Sequence, residues 1–544
     1  MGLALEKTKL QKSEQRSYYC TWLAQNFIAA EAGEDRAAVR PEFTGDQGAN
    51  CARDKINEYT LFGKGGMAQV NAREDLYLVL DDGWDVSYHI DPSVQKDYFG
   101  SLEVNEQRFS CAKGSTAERL KILSERAKSL GWKGLGIWVA AQKCGKDYHL
   151  PFSEADKEYW RERILWCKQA GVTYWKVDWG TSEHDNAFRK FLTDAARELY
   201  PELTIEQAIC CPPVNGVTEE LQRGEVGRFQ DDEKISGLSK KAVSFSEVFR
   251  TYDVTPQFSV ASTLDRAAYL LPYAKGYLNV EDELYLAAAL GCQMGIMRSV
   301  YGKGLDGWDD SDRLKEADAA LFWQKIAPPF VGGKVEISEE ILADEWTFQE
   351  NEFWYQPING RTIRQGAPAA VSRNASLPEV SAGQTGAKPF VVCSLNQSGA
   401  YSVAVLPRTL NGRRAYVGGK VVCTLQRMPE QIALFGCAEG FEISWKEGKV
   451  ESVTAVSLLG GNEIEIPLSK EGNRFYINAE QINKIWKTDD KSAPAVLLTL
   501  RGNLAVFITE GEKIWIKKFI WVRRTIPSCG MRAKWKRILP VAKS

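Results

Sequence analysis

From residue 17 to about residue 330, short apolar runs alternate with longer stretches in which apolar residues recur every three or four positions. A short apolar run bounded by turn residues reads as a buried strand, and three-or-four spacing reads as one face of a helix. Strands are predicted at Tyr18–Asn26, Leu76–Asp81, Gly134–Ala140, Thr173–Asp178, Thr204–Ala208, Ser244–Tyr252, Gly276–Val280 and Gln293–Arg298. Helices are predicted at Ala117–Leu130, Glu154–Ala170 and Asn186–Leu199; in the first, Leu120, Leu123, Ala127 and Leu130 share one face. Eight strands with helices between them predict an α/β fold, a (β/α)8 TIM barrel over residues 1–330, whose reactive end is the carboxyl end of its strands. After Pro328-Pro329 the texture changes to short alternating runs such as Lys388–Ser394, Tyr401–Leu406, Val450–Leu458 and Ala495–Leu500. These predict an all-β sandwich over residues 331–515. Residues 516–544 read as a basic, disordered tail: from Lys513 onward there is no acid, and a shifted reading frame would leave the same trace.

Two of the strands end in acid. The run Val172-Thr-Tyr-Trp-Lys-Val-Asp-Trp-Gly180 is apolar enough to be buried, yet carries Lys176 and Asp178. Alternation puts those two on the same side of the strand. Buried charge is costly unless it is paired or works on a ligand. A structural ion pair is the plain explanation, but Leu76-Tyr-Leu-Val-Leu-Asp-Asp-Gly-Trp84 ends the same way. Two strands that stop in acid and Trp point to a carboxylate site that stacks something flat or sugar-like, with Trp84 and Trp179 as faces. The remaining informative residues also fall at strand ends: Trp22, Trp138, Glu206, Asp253 and Asp282.

Composition narrows the chemistry. The 544 residues are 44% hydrophobic with a net charge of −2, which gives no sign of a nucleic-acid or membrane partner. The 12 Cys contain no C-x-x-C pair, and Cys210 and Cys211 are adjacent. That pattern favours a reducing compartment over a disulfide framework. No basic region followed by an apolar stretch opens the chain, so the expected location is cytoplasmic. His89, His149 and His184 are the only histidines and none is spaced for metal, which argues against a His-based nucleophile or metal site. There is no phosphate loop; Gly63-Lys-Gly-Gly66 reads as a turn and Gly291-Cys-Gln-Met-Gly295 as a packing turn. Asp and Glu are left to carry catalysis. Self-association into a homo-oligomer stays open.

Three motifs resemble the clan of retaining glycosidases that contains glycoside hydrolase families 27 and 36, the α-galactosidases and α-N-acetylgalactosaminidases. Asp81-Asp82-Gly-Trp84 resembles the double acid after the second strand, Trp175-Lys-Val-Asp178 the fourth-strand motif, and Arg250-Thr-Tyr-Asp253 the sixth-strand motif. The resemblance implies that Asp81, Asp82, Lys176 and Arg250 bind the sugar, that Asp178 is the nucleophile and that Asp253 is the acid/base. It also implies a glycoside substrate, a sandwich after the barrel, and a two-carboxylate reaction that needs neither metal nor organic cofactor. Lys176 is then expected to keep Asp178 ionised. The Arg250–Asp253 spacing is one residue shorter than in family 27, which leaves Asp231, Asp232 and Asp282 as alternative acids. Ile205-Glu-Gln-Ala-Ile-Cys-Cys211 does not reproduce the loop that reads the sugar's second carbon. Glu206 is therefore either a ligand-binding acid or a strand-end salt bridge. Terminal α-galactosides, α-N-acetylgalactosaminides and β-L-arabinopyranosides all stay open as substrates. So does a carbohydrate-binding barrel without turnover. A barrel acting on phosphorylated substrates is disfavoured, because it wants a phosphate-gripping loop after the seventh or eighth strand.

Overall fold

The computed structural model describes residues 16–25, 52–62, 70–91, 94–209, 233–251, 259–297, 310–349, 360, 362–410, 413–487 and 492–503. Strands β1 (Tyr18–Cys20), β2 (Tyr77–Leu80), β3 (Gly134–Val139), β4 (Tyr174–Val177), β5 (Thr204–Gln207), β6 (Val248–Thr251), β7 (Tyr277–Glu281) and β8 (Gln293–Ile296) close into a barrel in chain order. Every neighbouring pair is parallel, including the closing pair β1–β8. Helices α1 (Thr116–Ser129), α2 (Asp156–Ala170), α3 (Asn186–Leu199), α4 (Glu233–Val243), α5 (Ser259–Leu270), α6 (Leu284–Leu290) and α7 (Asp310–Ile326) follow the strands. This is a TIM barrel followed by a sheet-rich region.

Alternation sorts each strand's side chains. Tyr19, Leu78, Leu80, Leu135, Ile137, Trp175, Val177, Ile205, Phe249, Leu278 and Val280 join the core under the helices. Tyr18, Cys20, Val79, Tyr174 and Met297 form a separate cluster inside the barrel. Space there is short, and Gly295 makes room for Tyr18: a Cβ at Gly295 would lie 2.7 Å from the Tyr18 hydroxyl.

Several boundaries move for local reasons. β1 stops at Cys20 rather than Asn26, because Thr21 opens a helical turn: Gln25 N–H donates to its carbonyl at 2.9 Å. β6 begins at Val248 rather than Ser244, because the N–H groups of Phe245 and Ser246 bond back to the Ala242 carbonyl and finish α4. β7 runs one residue further than expected, to Glu281. α1 is closed at its start by a capping box between Ser115 and Glu118, and Leu130, expected on its apolar face, is its C-cap. α3 spans Asn186–Leu199 as its periodicity predicts.

The sandwich has a large sheet with neighbours in the order 464–466, 449–457, 495–503, 431–435, 401–406, 390–395, 370–373 and 335–337. A four-stranded sheet of 379–380, 420–427, 440–447 and 474–478 packs against it. Val391, Val403, Val405, Ile432, Leu434, Val496 and Leu498 face the small sheet's Val421, Phe441, Ile443 and Phe475. The alternate residues Val392, Ala404, Ala433, Phe435 and Leu497 belong instead to the barrel's core. Both faces of the large sheet are thus buried. Polar bonds fix this join: Ser402 donates to the Ala289 carbonyl at 3.1 Å, and Tyr285 to the Ala493 carbonyl at 2.7 Å. Among the described residues, no helix is long and apolar enough to cross a membrane.

Candidate active site

The carboxyl ends of β2, β4, β6 and β7 bring a buried set of charges together. Asp81 follows β2 with its N–H donating to the Thr21 hydroxyl at 2.9 Å. Lys176, the inward residue near the end of β4, crosses the barrel and donates to Asp81 at 2.8 Å. Its ammonium also lies 3.3 Å from Glu281 and 3.4 Å from the Cys20 sulfur, and Cys20 itself donates to Asp81 at 3.0 Å. Burial works against the Lys176 charge, but Asp81, Cys20 and Glu281 outweigh it and hold the ammonium well above the usual lysine range. Burial likewise opposes ionisation of Asp81, yet Lys176 wins and lowers its carboxyl.

Asp178 stands just past β4. Its backbone is held on both sides, by its own N–H on the Val139 carbonyl at 3.0 Å and by Arg189 donating to its carbonyl at 3.1 Å. One carboxylate oxygen accepts from the Trp138 indole N–H at 3.0 Å; the other forms an ion pair with Arg250 at 2.9 Å. Arg250 is fully buried and also lies 3.2 Å from Glu281 and 3.6 Å from Glu206. Burial disfavours its charge, but Asp178, Glu281, Tyr18 and Glu206 together raise it well above the ordinary arginine value. Asp178 is thus a held carboxylate near a mouth that also presents Asp81 and Asp82. Asp82 forms an ion pair with Arg53 at 2.7 Å, and burial still lifts its carboxyl above the usual range, with Asp81 and Asp178 adding to the lift.

The expected pairing of Lys176 with Asp178 is corrected. Lys176 is committed to Asp81 and Glu281, and the cation on Asp178 is Arg250. Trp84, expected to offer a stacking face, is fully enclosed, with its N–H donating to the Trp138 carbonyl at 2.9 Å. Trp138 is buried as well; Trp22 and Trp179 are half-buried. The Trp179 ring lies 5.0 Å from Phe99 and 5.5 Å from Trp138, beneath the Arg53 guanidinium at 5.8 Å. Glu206 is fully buried inside the barrel, accepting from Tyr174 at 2.7 Å, Tyr18 at 3.2 Å and Asn279. Of its two readings, the buried salt bridge is the one its surroundings match. Asp282 sits in the turn after β7 with φ +72°, its N–H on the Gly295 carbonyl at 2.8 Å. Asp253, Asp231 and Asp232 lie outside the described residues.

Glu281, Cys20, Tyr18, Tyr174, Arg53 and Arg189 were not singled out from the sequence. For Glu281 the signal was present. In Tyr277-Leu-Asn-Val-Glu281, positions 277, 279 and 281 share one side, as 176 and 178 do. Ending that strand at Val280 hid it.

No family model and no curated protein matches the chain. Solved structures do. A provisionally assigned α-N-acetylgalactosaminidase from Bacillus halodurans is similar at 11% identity and TM-score 0.40, covering 91% of this chain and 100% of that one. A provisionally assigned α-galactosidase from Bacteroides fragilis is similar at 11% identity and TM-score 0.37, covering 90% and 80%. An α-galactosidase from Saccharomyces cerevisiae is similar at 10% identity and TM-score 0.35, covering 90% and 98%.

Proposed function

We propose that the chain is a retaining glycoside hydrolase that removes terminal α-galactoside-type residues by double displacement. The observation that carries this reading is Asp178, a carboxylate fixed between Arg250 and Trp138 at the reactive end of the barrel. Asp178 attacks the anomeric carbon and forms a glycosyl-enzyme, while a second carboxyl about 5–5.5 Å away protonates the leaving oxygen. Asp253 is our candidate for that second group, from its place three residues after Arg250. Asp81 and Asp82 are assigned to the sugar hydroxyls, since carboxylates accept from paired O–H donors. Half-buried Trp22 and Trp179 are our candidates for aromatic contacts with the sugar. Related exo-activities on α-N-acetylgalactosaminides or β-L-arabinopyranosides use the same machinery.

A carbohydrate-binding barrel without turnover is the second reading. Its support is that both carboxylate oxygens of Asp178 already have partners. A panel of nitrophenyl glycosides separates the two, because a pure binder releases no chromophore from any member. Asp178→Asn should fold normally and keep less than about a hundredth of wild-type turnover, since an amide cannot form the covalent intermediate at useful speed. Retention of more than that removes Asp178 as nucleophile.

A further inference from the structure

Three buried carboxylates share Arg250: Asp178 at 2.9 Å, Glu281 at 3.2 Å and Glu206 at 3.6 Å. Glu281 reaches Lys176 as well, at 3.3 Å, so it ties together the two cations that hold Asp178 and Asp81. The Tyr18 hydroxyl donates to it at 2.9 Å, and it is 1% exposed. An opposite charge beside a carboxylate favours its ionised form, and a carboxylate stabilised too strongly is a poorer nucleophile. Arg250 facing Asp178 alone would act with its full charge.

We infer that Glu281, together with Glu206, is a positioning residue of this site: the two buried acidic side chains aim Arg250 at Asp178 and draw off part of its charge. The inference rests on the proposed nucleophilic role of Asp178. The charged and titratable groups around Glu281 are Tyr18 and Cys20 from β1, Lys176 from β4, Glu206 from β5 and Arg250 from β6. Those around Asp178 are Arg250, Arg189 from α3, Asp82 after β2 and Glu183 in the loop after β4.

Glu281→Gln removes one charge and keeps an acceptor for the Tyr18 hydroxyl. More of Arg250's charge then bears on Asp178. The acid-side limb of kcat/KM on a nitrophenyl glycoside should move to lower pH by about one unit. The loss should fall on kcat, with KM little changed. A purely structural role would lower Tm and leave the limb in place; an unmoved limb, or one that moves up, in a folded enzyme overturns the inference. Should Glu281→Gln not fold, Glu206→Gln removes the other anion and must move the limb the same way, and an unmoved limb there is equally decisive. Failure of the underlying reading looks different: Asp178→Asn then retains turnover.

Discussion

Inward positions of β4 to β7 carry Lys176, Glu206, Arg250, Asn279 and Glu281, whereas the facing positions of the sandwich carry Val403, Leu434, Val421, Phe441 and Ile443. Both interiors are built on the same period-two alternation, and both are closed to solvent. The sandwich draws its stability from apolar area and close packing. The barrel interior carries charges whose desolvation is matched only by their partners, a trade that apolar residues of like volume often improve on. Such an arrangement persists where it holds a geometry that stability alone would not select. The difference separates a region that holds the chain together from one that holds a carboxylate in place.

The largest separation should come from the sandwich. Phe441→Ala opens a hole between the two sheets and should cost about 3–5 kcal/mol of stability. Turnover of the folded fraction should not change. A drop in kcat at a temperature where the variant is fully folded would mean that the sandwich shapes the site after all.

Asp85, in the turn after β2, tests the cost of a buried charge. It accepts from the Leu102 N–H at 3.2 Å and the Ser101 hydroxyl at 3.3 Å, and burial pushes its carboxyl up to about 7. An unfolded Asp titrates near 4, so the folded chain binds the extra proton between the two values. The contribution of Asp85 to stability is therefore greatest below about pH 4, falls as pH rises toward 7, and is level above, a change of up to about 4 kcal/mol. Asp85→Asn should flatten that slope and leave the protein more stable than wild type at pH 8. Chemical denaturation at pH 5 and pH 8 measures it; parallel slopes in the two proteins would place the acid response elsewhere.

The smallest change should touch only the chemistry. Trp138→Phe keeps an aromatic ring, smaller than the indole, and removes the N–H that donates to Asp178 at 3.0 Å. A lost bond to a charged group is worth about 1.5–3 kcal/mol, so kcat/KM should fall by about tenfold or more, with only a modest fall in Tm from the space the smaller ring leaves. A large fall in Tm with kcat/KM intact would make the indole a packing element.

Legibility differed by element for physical reasons. The barrel strands were readable because each is a short apolar run between turn signals, and α3 because its apolar spacing is regular over 14 residues. The end of β1 was not, since Thr21 turns the chain through backbone bonds that leave no mark in hydropathy. Asp178 stood out as an acid closing an apolar run, and Glu281 closes one too, but Asp282 and Glu283 beside it made the strand end look like a charged loop. The enclosure of Trp84 was hidden because Trp serves equally well as core or as ligand face.

The sequence by itself determined which residues share a side: a period of two places Lys176 with Asp178, Asn279 with Glu281, and Tyr18 with Cys20, wherever the strands go. It also determined that the acids fall at strand ends, because the apolar runs stop there. Tertiary structure alone decided the partners. Residues two apart on one strand sit about 6.6 Å apart along it, while closing the barrel brings β2, β4, β6 and β7 around one interior. Lys176 therefore meets Asp81 and Glu281 across the barrel, and Asp178 meets Arg250. No spacing along the chain contains those distances; they arise from closure of the sheet.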